Sequence, residues 1–137
     1  MPTAYKVYPD TPLLVTRLMG HVTSEEFREV YAELRKAPDF SPIFPEITDF
    51  RHATSFDFGH EEMARLATIV TEQHWDREIK TAIVADGDLG FGMARIYQNY
   101  AQIGQVETVV LFEHPEEAVD WLNLPPESVD LLEFEPA

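Results

Sequence analysis

The segment TAIVADGDLGFGMARIY, Thr81 to Tyr97, joins an apolar run to an acidic, glycine-rich stretch and then to a helical pattern. The nearly continuous run Thr81–Ala85 is typical of a strand that is buried on both faces of a parallel sheet. The residues that follow it predict a loop that opens into a helix of about Gly90 to Ile103. Ligands of open α/β sheets bind outside the carboxyl ends of the strands. This loop is therefore where we first expect function.

Strand patterns and helix patterns alternate on both sides of this segment. The sequence predicts five strands: Tyr5–Tyr8, Leu13–Met19, Glu46–Phe50, Ile79–Ala85 and Thr108–Phe112. A predicted helix follows each of the last four strands. Residues 1–124 therefore predict a single α/β domain, with a four- to five-stranded, mainly parallel sheet, an antiparallel N-terminal hairpin strand and about four flanking helices. Residues 125–137 are an acidic C-terminal tail, for which a short docked segment is the alternative.

Two predicted helices have recognisable start signals. Thr23 and Glu26 form a capping box in front of an apolar helix face that comprises Phe27, Val30, Tyr31 and Leu34. Asp57 is predicted to cap the next helix, from about Gly59 to His74. The polar residues 51–59 before that helix predict an irregular connection.

The chain is strongly acidic and has no cysteine. Its 137 residues include 25 Asp and Glu against 10 Lys and Arg, for a net charge of −15, and 45% are hydrophobic, which is enough for a packed core. This charge disfavours nucleic acid and anionic membrane surfaces, and it indicates either solubility or a basic partner. The lack of cysteine excludes disulfides and thiolate chemistry. We find no signal peptide and no apolar run near the roughly 18 residues of a membrane span, and we expect a cytoplasmic protein.

Five segments between Gly20 and Leu122 carry a family resemblance: GHVTSEEF at 20–27, ITDFR at 47–51, TAIVA at 81–85, FGMARIY at 91–97 and EAVDWL at 117–122. Together they resemble the SpoIIAA-like family, small bacterial proteins whose STAS-type fold is related to CRAL-TRIO lipid-carrier domains. The resemblance implies a regulatory or ligand-binding module rather than an enzyme.

The same resemblance implies a phosphorylatable hydroxyl in an Asp-Ser-Ser-Gly-like loop at a helix start. This chain has Asp57-Phe58-Gly59 at the corresponding place, without a hydroxyl group. Thr54 and Ser55 lie nearby but off the pattern. A phosphoserine switch of that type is therefore not predicted.

Candidate site residues follow the carboxyl end of the strand predicted to end at Phe50. Asp49, Arg51 and His52 bring together a carboxylate, a guanidinium and an imidazole, which are groups that can support acid–base chemistry. A salt bridge that joins two loops is the more common role of such residues. Because parallel strands end at the same edge, we expect this group to lie near the loop that begins at Asp86.

A second set of candidates surrounds the start of the third helix. Asp86, Gly90 and Gly92 lie where free backbone amides attract anions, although their spacing is not a dinucleotide fingerprint and no phosphate-loop lysine follows. An ordinary strand-to-helix turn has the same composition. Arg95, one turn into the helix, is placed either to bind a ligand carboxylate or phosphate or to pair with Asp49, Asp86 or Asp88.

Phe56, Phe58 and Phe91 are unusually apolar for residues near loop edges. If they are exposed, they form the mouth of a site for a lipid-like ligand or a dimer patch, and if they are buried they belong to the core. Phe56 and Phe58 are the better candidates for exposure.

The sequence contains no recognisable catalytic, metal or cofactor signature. No histidine pair has metal-ligand spacing, and no serine lies in a Gly-x-Ser-x-Gly elbow. We therefore predict a non-catalytic regulatory or protein-interaction module, homodimeric, without metal or cofactor. The alternative is a carrier or sensor that binds a small apolar or acyl-type ligand under the 50–59 and 86–95 loops. An enzyme that uses Asp49, Arg51 and His52 has little support.

Overall fold

The computed structural model describes residues 3–34, 36–41, 44–71, 79–101 and 107–134. Within these residues the chain forms five strands: β1 Thr3–Tyr8, β2 Leu13–Val22, β3 Glu46–Phe56, β4 Ile79–Val84 and β5 Glu107–Phe112. It also forms four α-helices and a final 3₁₀ helix: α1 Ser24–Leu34, α2 His60–Thr71, α3 Asp88–Ala101, α4 Pro115–Trp121 and the 3₁₀ helix Pro126–Leu132. None of the described helices is both long and apolar enough to cross a membrane.

The five strands form one sheet in the order β1-β2-β3-β4-β5. β1 pairs antiparallel with β2, and all other neighbours are parallel. Parallel neighbours cannot be joined by a tight turn, and α1, α2 and α3 provide the three crossovers. The predicted α/β domain with a mainly parallel sheet and an antiparallel N-terminal strand is confirmed.

One face of the sheet carries the larger core, beneath α1, α2 and α3. The predicted apolar face of α1 is buried there, because residues three and four positions apart form one stripe of a helix. Helices α2 and α3 also bury an apolar face in this core, with residues that include Met63, Leu66, Met93 and Tyr97. The strands contribute the residues that point to this face, including Leu14, Leu18, Phe50 and Ile83.

The opposite face is covered by α4 and by the C-terminal segment. Its core joins strand residues Leu13, Val15, Ile47, Ala82 and Val84 to Ala118, Val119, Leu132 and Phe134. The sequence is compatible with either a tail or a docked segment after residue 124. In the structure, residues 125–134 pack against the sheet on this face. Leu132 is fully buried, and the Tyr8 hydroxyl donates to the carbonyl oxygen of Leu131 at 2.8 Å.

β3 is longer than its sequence pattern indicates. It continues beyond the predicted end at Phe50, and it stays paired with β2 as far as Val22↔Phe56, so residues 51–56 are not the predicted irregular connection. Two register shifts interrupt this pairing, and such bulges increase the local twist. Gly20 of β2 has a φ of +64°, which glycine adopts without steric penalty. Residues 51–56 are mostly polar and have no strand pattern of their own. They form a strand because they pair with β2.

The helix starts agree with the sequence in part. The Thr23 hydroxyl accepts a hydrogen bond from the backbone N–H of Glu26 at 3.1 Å, which confirms the cap of α1. Asp57 lies too early to cap α2, which begins at His60. Because the longer β3 carries Asp57 to the end of β2, its carboxylate accepts from the backbone N–H of Ser24 at 3.1 Å instead. The predicted ends of the second and third helices lie outside the described residues.

Candidate functional site

The carboxyl ends of β3 and β4 lie at one edge of the sheet, which we call the carboxyl edge. The two strands pair as far as Asp49↔Val84, and both the end of β3 and the turn before α3 lie beyond that point. Successive strand residues point to opposite faces. Phe50 accordingly lies in the core beneath α3, whereas Asp49 and Arg51 lie on the face of α4 and the C-terminal segment. The predicted candidates share an edge but divide between two faces.

Asp49 and Arg51 form a close ion pair. Arg51 Nε donates to Asp49 Oδ1 at 2.9 Å, and Nη2 donates to Oδ2 at 2.8 Å. The Arg51 backbone N–H donates to the same Oδ1 at 3.0 Å. The carboxylate of Asp49 is fully buried, and its hydrogen bonds raise the pKa of Arg51. Both carboxylate oxygens of Asp49 are therefore engaged by Arg51.

The ion pair continues into the C-terminal segment. Arg51 Nη2 also donates to Glu133 Oε1 at 3.2 Å. Arg17 lies opposite Asp49 on β2 and is buried, and its guanidinium donates to the carbonyl oxygens of Leu132 at 3.1 Å and Phe134 at 2.8 Å. A buried guanidinium needs such acceptors to offset its lost hydration. We call this group the charged cluster: Arg17, Asp49, Arg51 and Glu133.

His52 lies at the rim of the charged cluster. Its Nε2 is 3.8 Å from Asp49 Oδ2, and 42% of its side chain is exposed. This distance is too long for a hydrogen bond. The three residues predicted to support acid–base chemistry are thus neighbours, but their geometry is that of an ion pair that fastens the C-terminal segment to the sheet.

The start of α3 lies on the other face, close against β3. A Cβ atom at Gly90 would lie 3.6 Å from the carbonyl oxygen of Phe50, so the glycine allows the helix to approach the strand closely. A Cβ atom at Gly92 would have no atom within 4 Å, so this residue faces open space. Leu89 is 46% exposed, and among the residues whose side chains the structure describes, the other large hydrophobic side chains are buried or half-buried.

Arg95 is exposed and pairs with none of the described carboxylates. Its predicted partner Asp49 is held by Arg51, and Asp86 lies exposed in the turn after β4. Spacings of three and four place exposed α3 residues on one side of the helix. We call this set the α3 stripe: Asp88, Leu89, Gly92 and Arg95.

Phe56 and Phe58 pack against each other beside the start of α2. Their ring centroids are 5.5 Å apart in an edge-to-face arrangement, and Phe56 lies 6.2 Å from Phe50. Phe56, Phe58 and Phe91 are all half-buried and pack against the core beneath the three helices. We call these three residues the aromatic rim. The rim is neither fully exposed nor part of the closed core.

Several residues of this region are absent from the sequence-based candidates. Arg17 stands inside the apolar strand LLVTRLM, and a charge in a buried strand is itself a signal of a buried partner. Leu89 is an apolar residue within an acidic, glycine-rich turn, which is a weaker signal. Glu133 gives no signal, because its partner Arg51 lies 82 residues away along the chain. No group of three described His, Asp or Glu residues is arranged to hold a metal ion.

No family model matches the chain, and no curated protein matches it. Among solved structures it is similar to the crystal structure of an uncharacterized protein of the DUF3478 family with a SpoIIAA-like fold, from Shewanella loihica PV-4. The TM-score is 0.59 at 17% sequence identity, over 88% of this chain and 91% of that chain. Similarity at this level of identity concerns the fold alone. The predicted SpoIIAA-like fold is confirmed.

Proposed function

We propose that this chain is a non-catalytic protein-interaction module of regulatory type, which binds its partner through the α3 stripe and the aromatic rim. The partner is either a second copy of the chain, as in the predicted homodimer, or a different protein. The exposure of Leu89 is the observation that supports this proposal most strongly. A large apolar side chain on an otherwise polar surface is stabilised when a partner covers it.

The neighbours of Leu89 fit an interaction surface. Gly92 presents bare backbone to open space, and Arg95 supplies a guanidinium that pairs with no described carboxylate. Arginine and aromatic side chains are the residues that most often dominate binding energy at protein interfaces. The charged cluster is a poorer candidate, because its members already satisfy one another.

Site-specific photo-crosslinking in the native cell tests this proposal. Benzoylphenylalanine at position 89 is expected to give one discrete adduct, with twice the chain mass for a homodimer or another mass for a different protein. The matched control places the same group at Thr68, an exposed residue of α2. The proposal fails if position 89 gives no adduct, or if both positions give the same set of adducts.

A second candidate function is the transport of a small apolar or acyl-type ligand under the 50–59 and 86–95 segments. The half-buried aromatic rim favours it for the apolar part of such a ligand, and Arg95 favours it for an acidic head group. Native mass spectrometry of the purified protein would show an added mass that disappears on denaturation. Phe91→Asp should abolish that added mass, and a clean chain mass from the wild-type protein would contradict the carrier function.

A further inference from the structure

β2 and β3 continue beyond the end of β4 as a two-stranded ribbon. β3 pairs with β4 only as far as Asp49, but it pairs with β2 as far as Phe56. After Val84 the chain stays beside β5 and not beside β3, because the Ala85 N–H donates to the carbonyl oxygen of Phe112 at 3.0 Å. Among the described residues, no strand flanks β3 on this side from residue 51 to 56. We call these six positions of β3 the open edge.

The open edge has backbone groups without ladder partners on one side. The N–H and C=O groups of a strand alternate between its two sides, so some of those between His52 and Phe56 face away from β2. The Arg51 N–H is satisfied locally, by the side chain of Asp49 at 3.0 Å. The open edge contains neither lysine nor proline, which are residues that proteins use to block pairing at sheet edges, but both register shifts of β3 against β2 fall within or beside it, before His52 and at Thr54. An extended segment can pair with the open edge on either side of Thr54.

The surroundings of the open edge are acidic. Asp57 follows it along the chain, and Asp86 and Asp88 follow the end of β4, and all three are exposed. None of them forms an ion pair with a described residue, and Asp57 Oδ1 accepts a hydrogen bond from the Ser24 backbone N–H. A second copy that paired through the same edge would bring these carboxylates together, which is unfavourable. A basic segment would instead neutralise them.

We propose that the open edge binds an extended, basic segment of a partner protein as an added strand. This inference rests on the proposed function, and it specifies the chemistry of the partner. Backbone hydrogen bonds to residues 51–56 would supply most of the affinity, and lysine or arginine side chains near Asp57, Asp86 and Asp88 would supply selectivity. The adjacent aromatic rim would contact the apolar side chains of the same segment.

Nuclear magnetic resonance on the full chain tests the inference with defined probes. The first probe is an acetylated six-residue peptide that alternates lysine and valine. The second has the same side chains but N-methyl groups on alternate amides, which block strand pairing while they keep the charge. The third replaces lysine by glutamate. Amide chemical shifts and hydrogen exchange are followed for residues 50–57.

We expect the lysine peptide to shift and protect amides of the open edge, and the other two peptides to leave them unchanged. Asp86→Asn combined with Asp88→Asn should weaken the binding of the lysine peptide about 3- to 10-fold, since each exposed ion pair contributes only modestly to affinity. Equal binding of the N-methylated peptide, or no response of residues 50–57 to the lysine peptide, would overturn strand addition. Responses confined to the α3 stripe would also overturn it, but they would leave the proposed interaction surface standing.

Discussion

The charged cluster and the α3 stripe lie at the same end of the sheet, and Arg51 of the cluster differs from Arg95 of the stripe in its partners. Arg51 is held by both oxygens of Asp49 and by Glu133. Arg95 is exposed and pairs with no described carboxylate. Removing one partner of a buried ion pair destabilises the fold, whereas an exposed charge without a partner is available for binding. The difference separates structural residues from functional candidates that sequence reasoning placed together.

The largest expected effect comes from removing the buried carboxylate. Asp49→Ala leaves Arg51 with Glu133 as its remaining carboxylate partner, and we expect a loss of about 3 kcal/mol in the free energy of unfolding. Asp86→Ala is the matched control at an exposed aspartate, with an expected change within about 0.5 kcal/mol. Urea denaturation measures both. Similar losses in the two variants would remove the distinction between the cluster and the exposed turn.

Arg17 tests the connection between the cluster and the C-terminal segment. Arg17→Met keeps an apolar stem but removes the hydrogen bonds to the carbonyl oxygens of Leu132 and Phe134, and we expect a loss of about 2–3 kcal/mol. Hydrogen exchange should accelerate in residues 126–134 more than in α1. Uniform acceleration along the chain would contradict a local fastening role.

Much of the fold follows from the sequence, because helix faces and buried strands have strong apolar periods. The face of α1 and the β4 strand are examples, and both rest on residues a few positions apart. The end of β3 has no such pattern, since residues 51–56 are strand only through their pairing with β2. The charged cluster joins Arg51 to Glu133 across 82 residues, and only the tertiary fold determines that contact. The sequence therefore predicts which residues lie at the carboxyl edge. It does not predict which of them point to the helix face of the sheet and which point to the face of the C-terminal segment.

Glycine substitutions sharpen the contrast between open and constrained positions. Gly92→Ala should raise the free energy of unfolding by about 0.5–1 kcal/mol, because alanine is the better helix former and the added methyl group meets open space. Gly20→Ala should lower it by about 1 kcal/mol or more, because φ at this residue is +64°. Thermal unfolding distinguishes the two directions. A destabilised Gly92→Ala variant would show that the stripe is packed rather than open.

The smallest expected effect concerns the alkaline limit of stability. Burial raises the pKa of Tyr8 above the usual 10.0, with Arg17 acting in the opposite direction. A raised pKa means that the folded state keeps the phenol proton to a higher pH than the unfolded state does. The resulting contribution of Tyr8 to the free energy of unfolding is complete below about pH 10 and is lost as the pH rises through the folded pKa. The phenolate cannot donate to the Leu131 carbonyl, as the neutral hydroxyl does. Urea denaturation at increasing pH should show a shallower decline for Tyr8→Phe than for the wild-type protein, and identical slopes would contradict this assignment.

The most direct test of the division between framework and binding surface compares Arg51→Ala with Arg95→Ala by urea denaturation. We expect Arg51→Ala to lose about 3 kcal/mol, because it leaves the buried Asp49 carboxylate unpaired. Arg95→Ala should change the free energy of unfolding by no more than about 0.5 kcal/mol, as an exposed residue without an ion pair among the described carboxylates. Equal losses in the two variants would place Arg95 in the folded framework and would remove the free guanidinium from the proposed interaction surface.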